Sequence, residues 1–173
     1  MIRLYLVRHC ETLALTGDAP ANPRGDAPLS PAGVEQARRL GELLREWPVD
    51  LVLTSLYLRA VRTAQGATRD REPPVPVHAS LALNEFLPRD DGEMETEEEG
   101  LARALAFLDQ FRPRHENILV VAHDAILSAL RRSFLGAPSD DGDYFADPGR
   151  TRVLHHDGEA GDDGWREVAT FAP

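Results

Sequence analysis

Two histidines stand where an α/β protein does its chemistry. His9 closes the segment Leu6-Val7-Arg8, and His123 closes Val120-Val121-Ala122. Each follows a run with the signature of a buried strand. In an open parallel sheet, ligands bind just beyond the strand C-termini, so both imidazoles could line one crevice although they are far apart in sequence. An imidazole with a reference pKa of about 6.5 can act at neutral pH as a nucleophile, a base or, when protonated, a hydrogen-bond donor. Taken singly, each serves equally well as a hydrogen-bonded histidine at a strand end, so the elements around them matter.

Strand and helix signals alternate along the chain, the pattern of an α/β layered fold. Residues 2–7 read as a first strand, and residues 11–29, rich in Pro, Gly, Asp and Asn, as a long loop. A helix opens with Ser30 as N-cap and Pro31 at its first position. Val34, Ala37, Leu40, Leu43, Leu44 and Trp47 lie on one face, and Pro48 stops it. Residues 49–54 read as a second strand and 56–68 as a helix with Val61, Ala64 and Ala67 on one side. Pro73, Pro74 and Pro76 exclude a helix over 70–80 and leave Val75-Pro76-Val77 as an edge strand. Residues 84–95 form an acidic loop. Thr96 to Glu99 matches a capping box, opening a helix that buries Leu101, Ala104, Leu105, Leu108 and Phe111 and ends at Pro113. Ile118 to Ala122 is an apolar run typical of a strand covered on both faces. Residues 124–135 return to helix, closed by Gly136 and Pro138. Arg152 to His155 and Trp165 to Phe171 form a hairpin. The fold expected is a three-layer α/β/α sandwich with a mostly parallel central sheet, in one domain over residues 1–173.

Composition narrows the function. The 173 residues are 42% hydrophobic and 28% charged, ordinary globular proportions. No apolar run approaches the roughly 20 residues of a membrane helix. The N-terminal residues enter a strand without a signal-peptide core, which points to a cytoplasmic location by elimination. Cys10 is the only cysteine, so no intramolecular disulfide and no Cys₂- or Cys₄-type zinc site is available. The formal net charge of -10 argues against general nucleic-acid binding. It also requires that any anion site concentrate positive charge locally. His155-His156-Asp157 is poorly placed for one ion because neighbours on a strand face opposite ways. Asp140-Asp141-Gly142-Asp143 lacks calcium-loop spacing.

Arg8-His9-Cys10-Glu11-Thr12 resembles the Arg-His-Gly-Glu-Thr signature of the histidine phosphatase, or phosphoglycerate mutase-like, superfamily. Leu29-Ser30-Pro31-Ala32-Gly33 with Gln36-Ala37 is similar to its Leu-Ser-x-x-Gly-x-x-Gln-Ala helix start. Thr54-Ser55, Arg59-Ala60 and Thr63-Ala64 are similar to its Thr-Ser-x-x-x-Arg-Ala-x-x-Thr-Ala segment. Leu83-Asn84-Glu85 resembles its Leu-x-Glu, and Val120 to His123 its second-histidine strand. Five matches in order carry far more weight than any one.

The resemblance implies a phosphomonoester hydrolase that forms a covalent phosphohistidine on His9 without metal or cofactor. A backbone carbonyl would fix the His9 tautomer. Arg8 and Arg59 would offer donor forks to the phosphoryl oxygens, although a surface ion pair is the commoner fate of an arginine. A protonated His123 would add a further donor. Glu85 would be the general acid, with Glu11 as competitor, and Thr12 would orient the phosphate or cap a local turn. Asn22 and Arg24 could contribute from the same loop. The substrate implied is a small phosphorylated metabolite, with no nucleic-acid or membrane partner; the oligomeric state stays open.

Two positions depart from the quoted motifs. Cys10 stands at a glycine position, where a φ above zero would penalise its Cβ. The Cys-x₅-Arg of thiol phosphatases is absent, because Thr16 occupies the arginine position. Asp124 stands where glycine often follows the second histidine; it either caps the next helix or meets the substrate. Three other functions share these residues. A phosphoglycerate mutase would need more chain to shield the phosphoenzyme from water. A phosphohistidine-protein phosphatase would not need Glu85. A catalytically silent phosphate-binding module would bind phosphate without turnover.

Overall fold

The computed structural model describes residues 1–18, 26–89, 91–138, 145–157 and 164–173. Its elements are β1 (Ile2–Arg8), α1 (Leu13–Thr16), α2 (Pro31–Leu43), β2 (Leu51–Ser55), α3 (Leu58–Thr68), β3 (Val77–Ser80), a 3₁₀ turn (Leu81–Leu83), α4 (Glu97–Leu108), β4 (Asn117–Ala122), α5 (Asp124–Leu135), β5 (Thr151–His156) and β6 (Trp165–Phe171). The strands form one sheet in the order β3-β2-β4-β1-β5-β6. β3, β2, β4 and β1 run parallel, and β5 and β6 pair antiparallel at the other edge.

Side chains alternate across each strand, and the core divides accordingly. Leu4, Leu6, Leu53, Ile118 and Val120 face α4 and α5, packing with Leu108, Ile126 and Leu130. Tyr5, Val7, Val52, Leu119 and Val121 face α2 and α3, packing with Leu40, Leu44, Ala60 and Ala64. Both faces of the sheet are thus covered, which is why the central strands are apolar throughout. The three layers are those expected.

Helix ends follow the sequence signals. Ser30 Oγ accepts from the Gly33 amide. Thr96 and Glu99 make a full capping box, with three glutamates in the first turn of α4, where they complement the helix dipole. Gly136 ends α5 in the left-handed region.

Several boundaries differ from expectation. β3 starts at Val77 rather than Val75, because Pro76 has no N–H to donate; it contributes only its carbonyl, to Val52 N. α4 ends at Leu108, and hydrogen-bonded turns carry the chain to Pro113. The 11–29 loop contains the single-turn helix α1. On α2, Val34 and Leu43 are exposed (59% and 42%) instead of buried. The reason lies in how closely α2 meets α3. A Cβ added at Gly66 would lie 2.6 Å from Ala37 Cβ, and one at Gly41 3.0 Å from the Ala67 carbonyl. Backbones this close leave a narrow seam of small residues, and the flanking apolar positions fall outside it.

Candidate active site

The sheet register explains why His9 and His123 meet. In the parallel β1–β4 pair, Arg8 lies opposite Ala122, and the His9 amide donates to the Ala122 carbonyl at 2.9 Å. The next residue on each strand is a histidine, so the two rings stand side by side with centroids 5.2 Å apart. Both are buried.

His9 Nδ1 lies 2.8 Å from the Cys10 carbonyl. A carbonyl only accepts, so Nδ1 carries the hydrogen and Nε2 keeps its lone pair. Burial pushes the His9 pKa down to about 4; the Cys10 carbonyl works the other way, and the Arg59 and Arg8 charges add to the lowering. The ring is therefore neutral at physiological pH.

His123 sits in a relay with one consistent set of donors. An Arg59 Nη lies 3.3 Å from His123 Nδ1, His123 Nε2 is 2.8 Å from Ser55 Oγ, and Ser55 Oγ donates to Asn84 Oδ1 at 2.7 Å. Arg59 can only donate, so Nδ1 accepts and Nε2–H donates to Ser55. Burial, then the Arg59, His9 and Arg8 environment, lowers the His123 pKa to about 2. His123 is thus a neutral imidazole in this structure. Desolvation beside two guanidinium groups outweighs any stabilisation of a third positive charge.

The arginines are also engaged. Arg59 pairs with Asp26 at 3.1 Å and lies 4.4 Å over the Tyr57 ring, which in turn meets His123 edge-on. Asp26 Oδ2 accepts from Leu58 N at 2.6 Å, filling the role that the N-cap Tyr57, lacking a side-chain capping bond, does not. Arg8 Nη1 donates to the Phe145 carbonyl at 3.0 Å and also to that of Ala146. Arg8, His9, Thr12 and Arg59 line one cavity of about 220 Å³, with Ala14, Leu15 and Ala27 at its apolar side.

Glu85 is not among the residues lining this cavity; it lies near Arg59 and the start of α5. Its Oε1 is buried without a hydrogen-bond partner among the described residues. Burial raises its pKa above the usual carboxylate range; the Ile126 and Ala125 amides oppose this, and Asp124 adds to it. Glu11 is taken up by Ser30, whose hydroxyl donates to it at 2.5 Å. Thr12 caps α1, accepting from Leu15 N at 3.3 Å. Asp124 is the first helical residue of α5; the N-cap is His123. Among the described residues no non-glycine has positive φ, so Cys10 occupies its position without backbone strain. Its thiol is buried and pushed up to about 12 by desolvation.

The loop bearing His9 is held from behind. Thr63 Oγ1 accepts from Cys10 N at 2.9 Å and donates to the Arg59 carbonyl at 2.8 Å. Gln36 Oε1 accepts from Glu11 N at 2.9 Å. A Cβ at Gly33 would lie 2.0 Å from the Glu11 carbonyl oxygen, so only glycine admits α2 this close. Asp26, Tyr57 and Phe145 escaped the sequence reading. Asp26 meets α3 across a long loop and Phe145 follows a segment of no clear pattern, so neither gave a local signal. Ser55, Asn84 and Thr63 lay inside the quoted motifs without a role. Asn22, Arg24, Asp90 and Asp140 to Asp143 lie outside the described residues.

The family model of the histidine phosphatase superfamily (branch 1) matches residues 4–88 and 83–166. The chain belongs to the histidine phosphatase superfamily. Among superfamily relatives it is 32% identical to an adenosylcobalamin/alpha-ribazole phosphatase of Escherichia coli, over 80% of this chain and 82% of the relative. It superposes on the alpha-ribazole phosphatase of Shigella flexneri with TM-score 0.78 and 27% identity, covering 97% and 95% of the two chains. A 2,3-bisphosphoglycerate-dependent phosphoglycerate mutase of Thermobifida fusca is 40% identical over 94 residues, which cover 49% of this chain and 35% of that one.

Proposed function

We propose that this histidine phosphatase superfamily member hydrolyses phosphomonoesters through a covalent phosphohistidine on His9. The observation that carries the reading is the state of His9: neutral, with Nδ1 held by the Cys10 carbonyl and its ring in a cavity shared with two guanidinium groups. A neutral imidazole whose second nitrogen is fixed is a competent nucleophile at neutral pH.

In the first step Nε2 bonds to phosphorus and the ester P–O bond breaks. Glu85 gives its proton to the leaving oxygen. In the second step water attacks phosphorus, its proton passes to the Glu85 carboxylate, and the P–N bond breaks to release phosphate and neutral His9. Arg8 and Arg59 supply charge to the equatorial oxygens. An entering phosphoryl dianion competes with Asp26 for Arg59. It also brings the negative charge that favours protonation of His123.

The apolar side of the cavity (Ala14, Leu15 and Ala27) suits an uncharged organic leaving group. The relatives' names make alpha-ribazole phosphate the first ester to assay. A screen of phosphomonoesters with release of inorganic phosphate as readout tests the proposal. It expects at least one ester to be hydrolysed by the wild type and none by His9→Ala. Transfer of the phosphoryl group between two phosphoglycerates without net release would establish a mutase instead.

A further inference from the structure

Asp124 places a carboxylate one residue from His123, beside the cavity proposed to take an anion. Its partners show where that carboxylate is committed. Oδ1 accepts from the Ser128 hydroxyl at 3.2 Å and from the Phe145 amide at 2.9 Å. The carbonyl of the same Phe145 accepts from Arg8 Nη1. The Phe145 side chain is wholly buried, with the Arg152 guanidinium 5.2 Å over its ring. Phe145 therefore bridges the first residue of α5 to the arginine of the cavity. Arg8 Nε is buried without a hydrogen-bond partner among the described residues. The contacts of Nη1 to the Phe145 and Ala146 carbonyls are then what orient the guanidinium.

We propose that Asp124 is a positioning residue: by holding the Phe145 amide it fixes the carbonyl that orients Arg8 in the phosphate cavity. The inference rests on the reading of that cavity as a phosphate site. It also accounts for a carboxylate being tolerated there, since two donors already occupy its Oδ1. A glycine at 124 would leave the Phe145 amide without this acceptor. The buried ring would still anchor the residue, but its carbonyl would be free to rotate relative to Arg8. The influence of Asp124 on Glu85 is a separate effect that an uncharged isostere removes while keeping the bridge.

A double-mutant cycle decides the point. Inorganic phosphate is the probe, used as a competitive inhibitor of ester hydrolysis and as a ligand in calorimetry, with thermal melts to confirm folding. Asp124→Ala is expected to weaken phosphate binding and raise KM by roughly tenfold, about 1.4 kcal/mol, with a much smaller change in kcat. Asp124→Asn keeps an acceptor for Phe145 and is expected to restore most of the phosphate affinity. In an Arg8→Ala background the Asp124→Ala penalty should vanish. An undiminished penalty in that background, or no penalty in either, overturns the inference. If instead wild type fails to bind phosphate at all, the site reading falls first and takes this one with it.

Discussion

His9 and Glu85 are set in opposite protonation states by the same means, burial, acting on a base and on an acid. Removing water lowers the His9 pKa to about 4 and raises that of Glu85, so the imidazole proposed as nucleophile is unprotonated and the carboxyl proposed as acid protonated over one shared window. The expected profile of kcat/KM has an acidic limb near pH 4 and a basic limb above the ordinary carboxylate range. Glu85→Gln should remove the basic limb and slow esters with poor leaving groups more than activated ones; equal slowing would exclude Glu85 as the acid. Stability follows with a definite sign. His9 and His123 have folded pKa values of about 4 and about 2, below the 6.5 of the unfolded chain. As pH falls below 6.5 the unfolded state takes up protons first, so stability declines, through about 4 for His9 and further for His123. Melts across this range should show that decline, and a shallower one for a folded His123→Asn. Glu85 behaves oppositely: its folded pKa is raised, so its stabilising share is full below the unfolded value of about 4.5 and is lost as pH rises through the folded pKa. Glu85→Gln should therefore melt higher than wild type at neutral pH while losing activity. The Cys10 thiol, buried and pushed up to about 12, should resist alkylation in the native protein.

The N-terminus of α2 does more than cover the sheet: Ser30, Gly33 and Gln36 all touch Glu11, two residues from His9. Gly33→Ala would force its new methyl into the Glu11 carbonyl. Overpacking of this kind typically costs about 1–3 kcal/mol, so denaturant unfolding should show a loss of that order together with reduced turnover. Signals local to one element were legible in sequence: the caps at Ser30 and Thr96, the glycine stop at Gly136, the apolar run of β4. Properties fixed by a neighbouring element were not. The exposure of Val34 and Leu43 depends on how closely Gly41 and Gly66 let α2 and α3 approach, which hydrophobic periodicity does not encode. The shift of β3 past Pro76 follows from hydrogen-bonding arithmetic that the short apolar triplet concealed.

Across the molecule, an acidic chain of net charge -10 gathers two guanidinium groups and two imidazoles by convergence rather than by overall charge. Sheet order brings the ends of β1, β2 and β4 together, and each delivers part of the site: Arg8 and His9, Ser55 with the start of α3, and His123. The motifs contained Arg8, His9, Arg59 and His123, which the fold brings close together; they did not reveal how these groups are balanced. Asp26 on Arg59 and the Phe145 carbonyl on Arg8 join segments that no sequence window spans, so the local field is partly neutralised in a way that charge counting missed. The central claim is the phosphoryl bond to His9, and trapping it is the most direct test. Enzyme mixed with a labelled ester, quenched within a turnover at alkaline pH and mapped by peptide mass spectrometry, should carry one phosphoryl group on His9. The group should be absent from His9→Ala. Label on another residue, or rapid turnover with His9 unmodified at every time point, would contradict the account.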